Sequence, residues 1–274
     1  MRKFKWSNLY LIFVFIILYV PIVYLIMYSF SKGDTMTNFQ GFTFSHYAEL
    51  FADTRMIQIV IDTLLLALLS SLIATAVGTL GALAISRTTK PIVKNTILSL
   101  NNILMVSPDV IIGASFLIFF TALHLPLGFG SVLLSHIAFS IPIVVLMVLP
   151  RLQEMRQSML DAARDLGSNN WQTLSRVILP FITPGIFSGF FMAFTYSLDD
   201  FAVTFFVTGN GFSTLAVEVY ARARQGISLE INALSGVMFL FALVLVVGYY
   251  FIQQGSVHRK QRKHKEAQHI EETH

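Results

Sequence analysis

The chain contains no cysteine. Disulfides and thiolate metal sites are therefore excluded, and the redox compartment is left open. Charge is scarce too: 12% of the 274 residues are Asp, Glu, Lys or Arg, against about 25% in soluble domains. The sequence has no Gly-x-x-x-x-Gly-Lys-Ser/Thr loop, no His-Glu-x-x-His and no Gly-x-Ser-x-Gly. It is not an ATPase by any recognisable motif, and no catalytic or metal-binding set is expected. No Gly/Ser linker, low-complexity block or internal repeat divides it, so one domain over residues 1–274 is expected.

What the chain has is apolar sequence. It is 55% hydrophobic, with a mean hydropathy of +0.68. Apolar runs at residues 9–30, 57–85, 97–123, 132–149, 184–207 and 231–252 each suffice for a membrane helix, which needs about 20 residues. In lipid the backbone must satisfy its own hydrogen bonds, so each run is read as helix. The runs are too long and continuous for the alternation of a membrane barrel. The expectation is an all-α integral membrane protein with six transmembrane helices. Arg2, Lys3 and Lys5 precede the first run, as in a secretory signal. That run exceeds a signal core and no small-residue cleavage site follows, so a retained helix is expected.

Basic residues set the orientation. The N-terminus, residues 86–96, residues 150–183 and the C-terminal tail hold 15 of the 19 Lys and Arg. The opposite segments hold only Lys32, Arg55, Arg222 and Arg224. Both termini are therefore expected in the cytoplasm, with residues 31–56 and 208–230 outside. The net charge of +4 resides in this bias and does not call for nucleic acid. The basic tail at about 255–274 reads as an anchor near anionic lipid. Leu215, Val219 and Arg222 recur at helical spacing, which predicts a short surface helix.

Acids within the apolar runs carry the substrate argument. Asp62, Asp109, Asp199 and Asp200 lie inside or near spans. A charge at the bilayer centre costs at least ~2.5 kcal/mol, so such groups face a cavity or a partner. Asp109 lies about twelve residues into the third span, ~18 Å deep along a straight helix. Asp199 and Asp200 fall further out, and Asp62 sits near an outer end, solvated or structural. Ser107-Pro108-Asp109 also reads as N-cap, N1 and N2 of a helix that restarts within the membrane. Asp199 and Asp200 point about 100° apart on a helix, so one is expected to face the cavity. Tyr196 can share a face with either. Phe201 and Tyr220 are further aromatic candidates for a cation, although most rings in such a chain contact lipid or pack. The spans carry no Lys or Arg in their central parts, so no internal cationic partner is expected for these acids.

Between the fourth and fifth runs lies a polar loop with an ordered motif. Asp161-Ala162-Ala163-Arg164-Asp165-Leu166-Gly167 places a glycine six residues after an acid. Leu179-Pro180 follows twelve residues after that glycine, preceded by Val177-Ile178. This resembles the EAA loop of binding-protein-dependent permeases, the membrane subunits of ATP-driven importers, with Asp161 for the usual Glu and Val177 for the usual Ile. Val106-Ser107-Pro108-Asp109-Val110, Ser197-Leu198-Asp199-Asp200-Phe201, Phe206-Val207-Thr208-Gly209 and Ile231-Asn232-Ala233-Leu234-Ser235 resemble spans of the spermidine/putrescine branch of that family. The resemblance implies the type I ABC importer permease fold and a coupling loop at about 150–183. In that loop Asp161, Ala162, Ala163, Asp165 and Gly167 would form the first helix and turn, and Trp171 and Leu174 the second. It implies a sister permease, two ATPase subunits, an external or periplasmic polyamine-binding protein and a bacterial cytoplasmic (inner) membrane. ATP and Mg would be used by the ATPase subunits, with no cofactor bound by this chain. The substrate path would use Asp109, Asp199, Asp200 and Tyr196. Two other readings are a permease of the same family for another solute and a cation- or proton-coupled secondary transporter. An intramembrane protease is disfavoured because no pair of catalytic aspartate motifs is recognisable.

This topology is directly testable, because the native chain offers no background thiol. Ser168→Cys is expected to resist an impermeant thiol reagent in intact cells, and Ser213→Cys to react with it. Labelling of Ser168→Cys from outside would contradict the orientation.

Overall fold

The computed structural model describes residues 6–33, 36–225, 229–240 and 243–244. Its elements are helical, and the described residues show one isolated antiparallel bridge, Ser31 with Phe42. The helices are α1 (Trp6–Tyr28), α2 (Ser45–Ala52), α3 (Thr54–Arg87), α4 (Pro91–Val106), α5 (Asp109–Ala122) and α6 (Phe129–Glu154). They continue with α7 (Gln157–Asp165), α8 (Asn170–Thr173), a π-turn (Leu174–Ile178), α9 (Leu179–Asp199), α10 (Ala202–Val207), α11 (Leu215–Gln225) and α12 (Leu229–Leu240). The chain groups into two compact units, Met1–Thr54 with Arg222–His274, and Arg55–Ala221.

In the first unit, α1 is apolar on every side. Its residues from Leu9 to Met27 stay largely exposed, as expected of a helix solvated by lipid. Phe30, Phe42, Phe44 and Tyr47 form a ring cluster just beyond its end, with centroids 5.0–6.3 Å apart. Arg222 pairs with Asp53 at 3.2 Å and with Glu230 at 3.1 Å.

The second unit holds the core. One apolar cluster joins Ala82, Leu83 and Ile85 of α3 to Val144, Val145, Val148 and Leu149 of α6 and to Ile178, Ile182 and Ala193. A second joins Leu66, Ile112, Phe120, Val132, Phe139, Val203 and Val207. Lipid gives no hydrophobic drive between helices, so close backbone approach and dispersion must do the work. Small residues make that approach possible. Gly185 and Gly189, one turn apart on α9, face Met147 O and Val144 of α6, and Gly78 of α3 faces Val144 from another side.

Four described helices are long and apolar enough to cross a membrane, or five if a bent pair counts as one. The short surface helix expected after residue 208 is α11. The expected sixth span, 231–252, is described only at 231–240 and 243–244, with α12 covering its beginning, and the rest lies outside the described residues. The expected third span is not straight. α4 and α5 meet at an angle of 106°. Pro108 cannot continue the α4 hydrogen-bond ladder, and Ser107 and Pro108 are extended, with ψ of 139° and 133°. A depth for Asp109 taken along one straight helix therefore does not apply. The capping register also shifts by one: Pro108 is the N-cap and Asp109 the first helical residue, while Ser107 Oγ donates back to Ile103 O. The expected fifth span, 184–207, begins earlier and stops sooner. α9 ends at Asp199, and Asp200 turns extended with ψ of 119°. Residues 202–207 form the separate short helix α10, packed on α5 and α6.

The tight α3–α6 crossing sets a stability prediction. A Cβ at Gly78 would lie 2.7 Å from Val144 Cβ, whereas one at Gly81 meets only Val145 Cγ2 at 3.7 Å. Gly78→Val is expected to destabilise the purified subunit in detergent by about 1–3 kcal/mol in thermal unfolding, and Gly81→Ala to leave it near the parent.

Candidate functional site

Two regions of the second unit gather the residues singled out by sequence. The first is the elbow between α7 and α8. α7 ends in a Schellman turn: Gly167 N–H donates to Arg164 O at 2.8 Å and Ser168 N–H to Ala163 O at 3.0 Å. The turn needs a left-handed residue, and Gly167 supplies it with φ of +78°. Nothing lies within 4 Å of a Cβ built there, so the glycine serves conformation and not an internal close contact. Asn169 then caps α8, accepting from Gln172 N–H at 2.8 Å, while the Gln172 side chain accepts from Asn169 N–H at 3.0 Å.

The elbow presents apolar side chains outward. Leu166 is 89% exposed and Trp171 71% exposed, and Met159 is exposed as well. Asp161 is exposed, accepting from Gln157 Nε2 at 3.2 Å and lying 3.7 Å from Arg164. Ala162 and Asp165 are also exposed and Ala163 is half-buried. Leu174 is different: it begins the π-turn and packs on the apolar core, so it faces inward. Sequence reasoning missed Met159 and quoted Leu166 within its motif without singling it out. Leu166 adjoins the motif glycine, and the signal for it was an apolar residue at a helix C-cap of a polar loop.

The elbow is mechanically continuous with the membrane helix. α8, the π-turn and α9 follow without a break and together form one candidate span, Asn170–Asp199. The π-turn has a local cause. Pro180 offers no N–H to the preceding turn, and Leu179 N–H reaches back five residues to Leu174 O.

The second region lies at the far end of α9. Tyr196 donates its hydroxyl proton to Asp109 Oδ1 at 2.7 Å, joining α9 to the start of α5 at the 106° bend. Both residues are exposed, and the Tyr196 ring meets Phe139 edge-on at 5.1 Å. Asp199, one turn after Tyr196, is exposed too, and no described side chain pairs with it. Asp62 stays apart from this group; it accepts from Gln58 on its own helix at 2.8 Å.

Asp200 takes the opposite fate. Its side chain is 4% exposed. It accepts from Val203 N–H at 3.2 Å, Thr204 N–H at 2.8 Å and Thr204 Oγ1–H at 2.7 Å, so it holds the start of α10. His136 of α6 places Nε2 3.4 Å away. Asp200 therefore does have an internal partner, an imidazole, although it is neither Lys nor Arg. His136 is fully buried, with Nδ1 2.7 Å from Ser197 Oγ and Nε2 2.9 Å from Thr204 Oγ1. Ser197 Oγ is 3.0 Å from Ser70 Oγ of α3. Leaving one buried polar group of this network without its partner costs about 1–3 kcal/mol. Phe201 and Tyr220 pack ring on ring at 4.3 Å, with Phe205 beside them. Among the described residues no group of His, Asp or Glu could hold a metal ion.

Comparison with known proteins bears on this geometry. Residues 74–263 match the family described as "Binding-protein-dependent transport system inner membrane component". The chain is 37% identical over 238 residues to the spermidine/putrescine transport system permease protein PotC of Escherichia coli K12, covering 86% of this chain and 89% of that one. It is 34% identical to PotC of Haemophilus influenzae, covering 90% and 96%. It is 33% identical to the putrescine transport system permease protein PotI of Escherichia coli K12, covering 89% and 88%. Among solved structures, it superposes on a chain of a bacterial alginate ABC transporter complex with TM-score 0.69 at 19% identity, over 88% of this chain and 91% of that one. It also superposes on a chain of the MetNI methionine ABC transporter with TM-score 0.54 at 17% identity, over 71% and 94%. These two likenesses establish the fold.

The Schellman turn yields a local prediction. Valine at φ +78° costs about 1–2 kcal/mol, whereas asparagine tolerates the left-handed region. Gly167→Val is expected to raise the rate of limited tryptic cleavage after Arg164 about 5–30-fold, and Gly167→Asn several-fold less.

Proposed function

The chain belongs to the binding-protein-dependent transport system inner membrane component family, and we propose on that premise that it is the permease subunit of an ATP-driven polyamine importer. It works as a single six-span permease domain with both termini in the cytoplasm, paired with a sister permease. Two ATPase subunits supply energy and use the ATP and Mg; this chain binds neither. An external polyamine-binding protein delivers spermidine or putrescine. The support for the substrate class is the level of identity to relatives named for spermidine and putrescine transport, together with the carboxylates on the second unit.

The observation that carries the reading is the exposed group Asp109, Tyr196 and Asp199 beside a sharply bent apolar helix pair. Exposed carboxylates among apolar spans are expensive against lipid, so this face meets water or another subunit. Polyamines carry several positive charges separated by methylene runs. Spaced carboxylates set in apolar walls suit them, and a tyrosine ring adds a cation-binding face. Asp109 and Asp199 line the path in this reading, with Tyr196 orienting the Asp109 carboxylate. Asp200 supports the path from beneath. The coupling elbow uses Asp161, Ala162, Ala163, Asp165, Gly167 and Trp171, with Leu166 and Met159 added, as the surface that docks into an ATPase. Leu174 fixes the second coupling helix to the core. Motion imposed on the elbow passes through the π-turn into α9 and reaches the bend at Asp109.

The test replaces charge and keeps shape. Asp109→Asn and Asp199→Asn are expected to lose at least about tenfold of radiolabelled polyamine uptake per assembled complex, with complex yield near the parent. Wild-type uptake in both variants would remove the acid-lined path and leave recognition to the sister subunit or the binding protein.

A further inference from the structure

α9 stops at Asp199 without a helix-breaking residue, while Asp200 caps the restart locally through Val203 and Thr204. Leu198-Asp199-Asp200-Phe201-Ala202 contains neither proline nor glycine. The local cap does not by itself set the direction of the break, which tertiary contacts hold. Those contacts converge on one imidazole. His136 Nδ1 meets Ser197 Oγ on the α9 side of the break, at 2.7 Å. His136 Nε2 meets Thr204 Oγ1 on the α10 side, at 2.9 Å, and stands 3.4 Å from Asp200 Oδ2 within the break itself. The ring is fully buried, and the chain of contacts is anchored in α3 through Ser70.

We propose that His136 is a positioning residue of the transport path, holding the α9–α10 break in the geometry that leaves Asp199 exposed one turn from the Asp109–Tyr196 pair. The chemistry follows from the contacts. Were α9 to run on through residue 200, each following residue would advance ~1.5 Å and turn ~100°, and the Asp200 carboxylate would leave its three donors on α10. The imidazole opposes this by binding both sides of the break at once, and the Thr204 hydroxyl relays it, accepting from the ring and donating to Asp200. His136 itself touches no substrate in this account; it acts through Asp199. The inference rests on the reading of Asp199 as a carboxylate of the cation path.

The experiment uses the full complex, reconstituted with its partners. His136→Leu deletes all three ring contacts, and Thr204→Val removes the relay hydroxyl at nearly constant shape. Thr204→Ser restores the hydroxyl. Thr204→Val and His136→Leu are expected to lower polyamine uptake per complex about tenfold, and Thr204→Ser to stay within about twofold of the parent. Combined with Asp199→Asn, Thr204→Val is expected to cost less than about twofold more, because both act through one group. A direct readout of position accompanies these rates. In an Asp199→Cys background, Thr204→Val is expected to change the rate of reaction with an impermeant thiol reagent at least about threefold, and Thr204→Ser not to change it. If Thr204→Val assembles and leaves both uptake and thiol reactivity within about twofold of the parent, the inference is overturned. A full tenfold further loss from Thr204→Val in the Asp199→Asn background also overturns it. If Asp199→Asn alone transports normally, the path reading fails first and the positioning role falls with it. Should His136→Leu fail to assemble, the Thr204 pair still decides.

Discussion

A carboxylate withdrawn from solvent at residue 200 constrains everything around it. Burial of an ion is expensive unless its lone pairs are met, and Asp200 has three hydrogen bonds from α10 with an imidazole behind them. That requirement fixes where α9 ends and where α10 begins. α10 must then find a partner surface, and α5 provides it. A Cβ at Gly113 of α5 would lie 2.8 Å from Phe206 and 3.0–3.1 Å from the backbone of Val203 and Ala202, so only a glycine lets the two helices approach this closely. The bend that starts α5 carries Asp109. The buried acid thus places the exposed ones.

The same helix that ends at this knot begins at the elbow. From Asn170 to Asp199 the chain is helical throughout, passing from exposed Trp171 through the π-turn to the break. Gly185 and Gly189 seat it closely on α6, which also carries His136. A push on the elbow therefore reaches the carboxylates through packed backbone instead of through a flexible loop. In the importer reading this is the mechanical link between ATP turnover in a partner and the polyamine path. It also explains why apolar side chains such as Leu166 and Trp171 stand exposed in a polar segment: a docking surface needs area to bury.

Much of this was legible in the sequence, and the failures have physical reasons. Gly167 was readable because a left-handed turn after a short helix demands glycine, and φ of +78° is what the turn adopts. Four of the apolar runs, and the bent α4–α5 pair that occupies the third, were readable because lipid imposes length on helices; the sixth, 231–252, is described only in part. The Ser107-Pro108 signal revealed a restart but not its angle, since proline dictates that the ladder is cut and tertiary packing dictates the direction taken afterwards. The end of α9 left only a weak local sign, a capping-type aspartate at 200 with no proline or glycine beside it. His136 was missed because a search for partners that counts only Lys and Arg overlooks imidazole as a hydrogen-bonding group, and one histidine in an apolar run looks like ordinary core. The signal was present in combination: an intramembrane acid in the apolar run that follows one carrying a histidine flanked by serines at 131, 135 and 140.

The central claim is that this chain forms, with its partners, a polyamine path driven by ATP. Its most direct test is reconstitution in liposomes with the sister permease, the ATPase subunits and the binding protein, followed by measurement of ATP hydrolysis with and without spermidine or putrescine. The account predicts hydrolysis stimulated by polyamine-loaded binding protein and polyamine accumulating inside the vesicles in step with it. Stimulation and accumulation with an unrelated solute, and neither with polyamine, would contradict it.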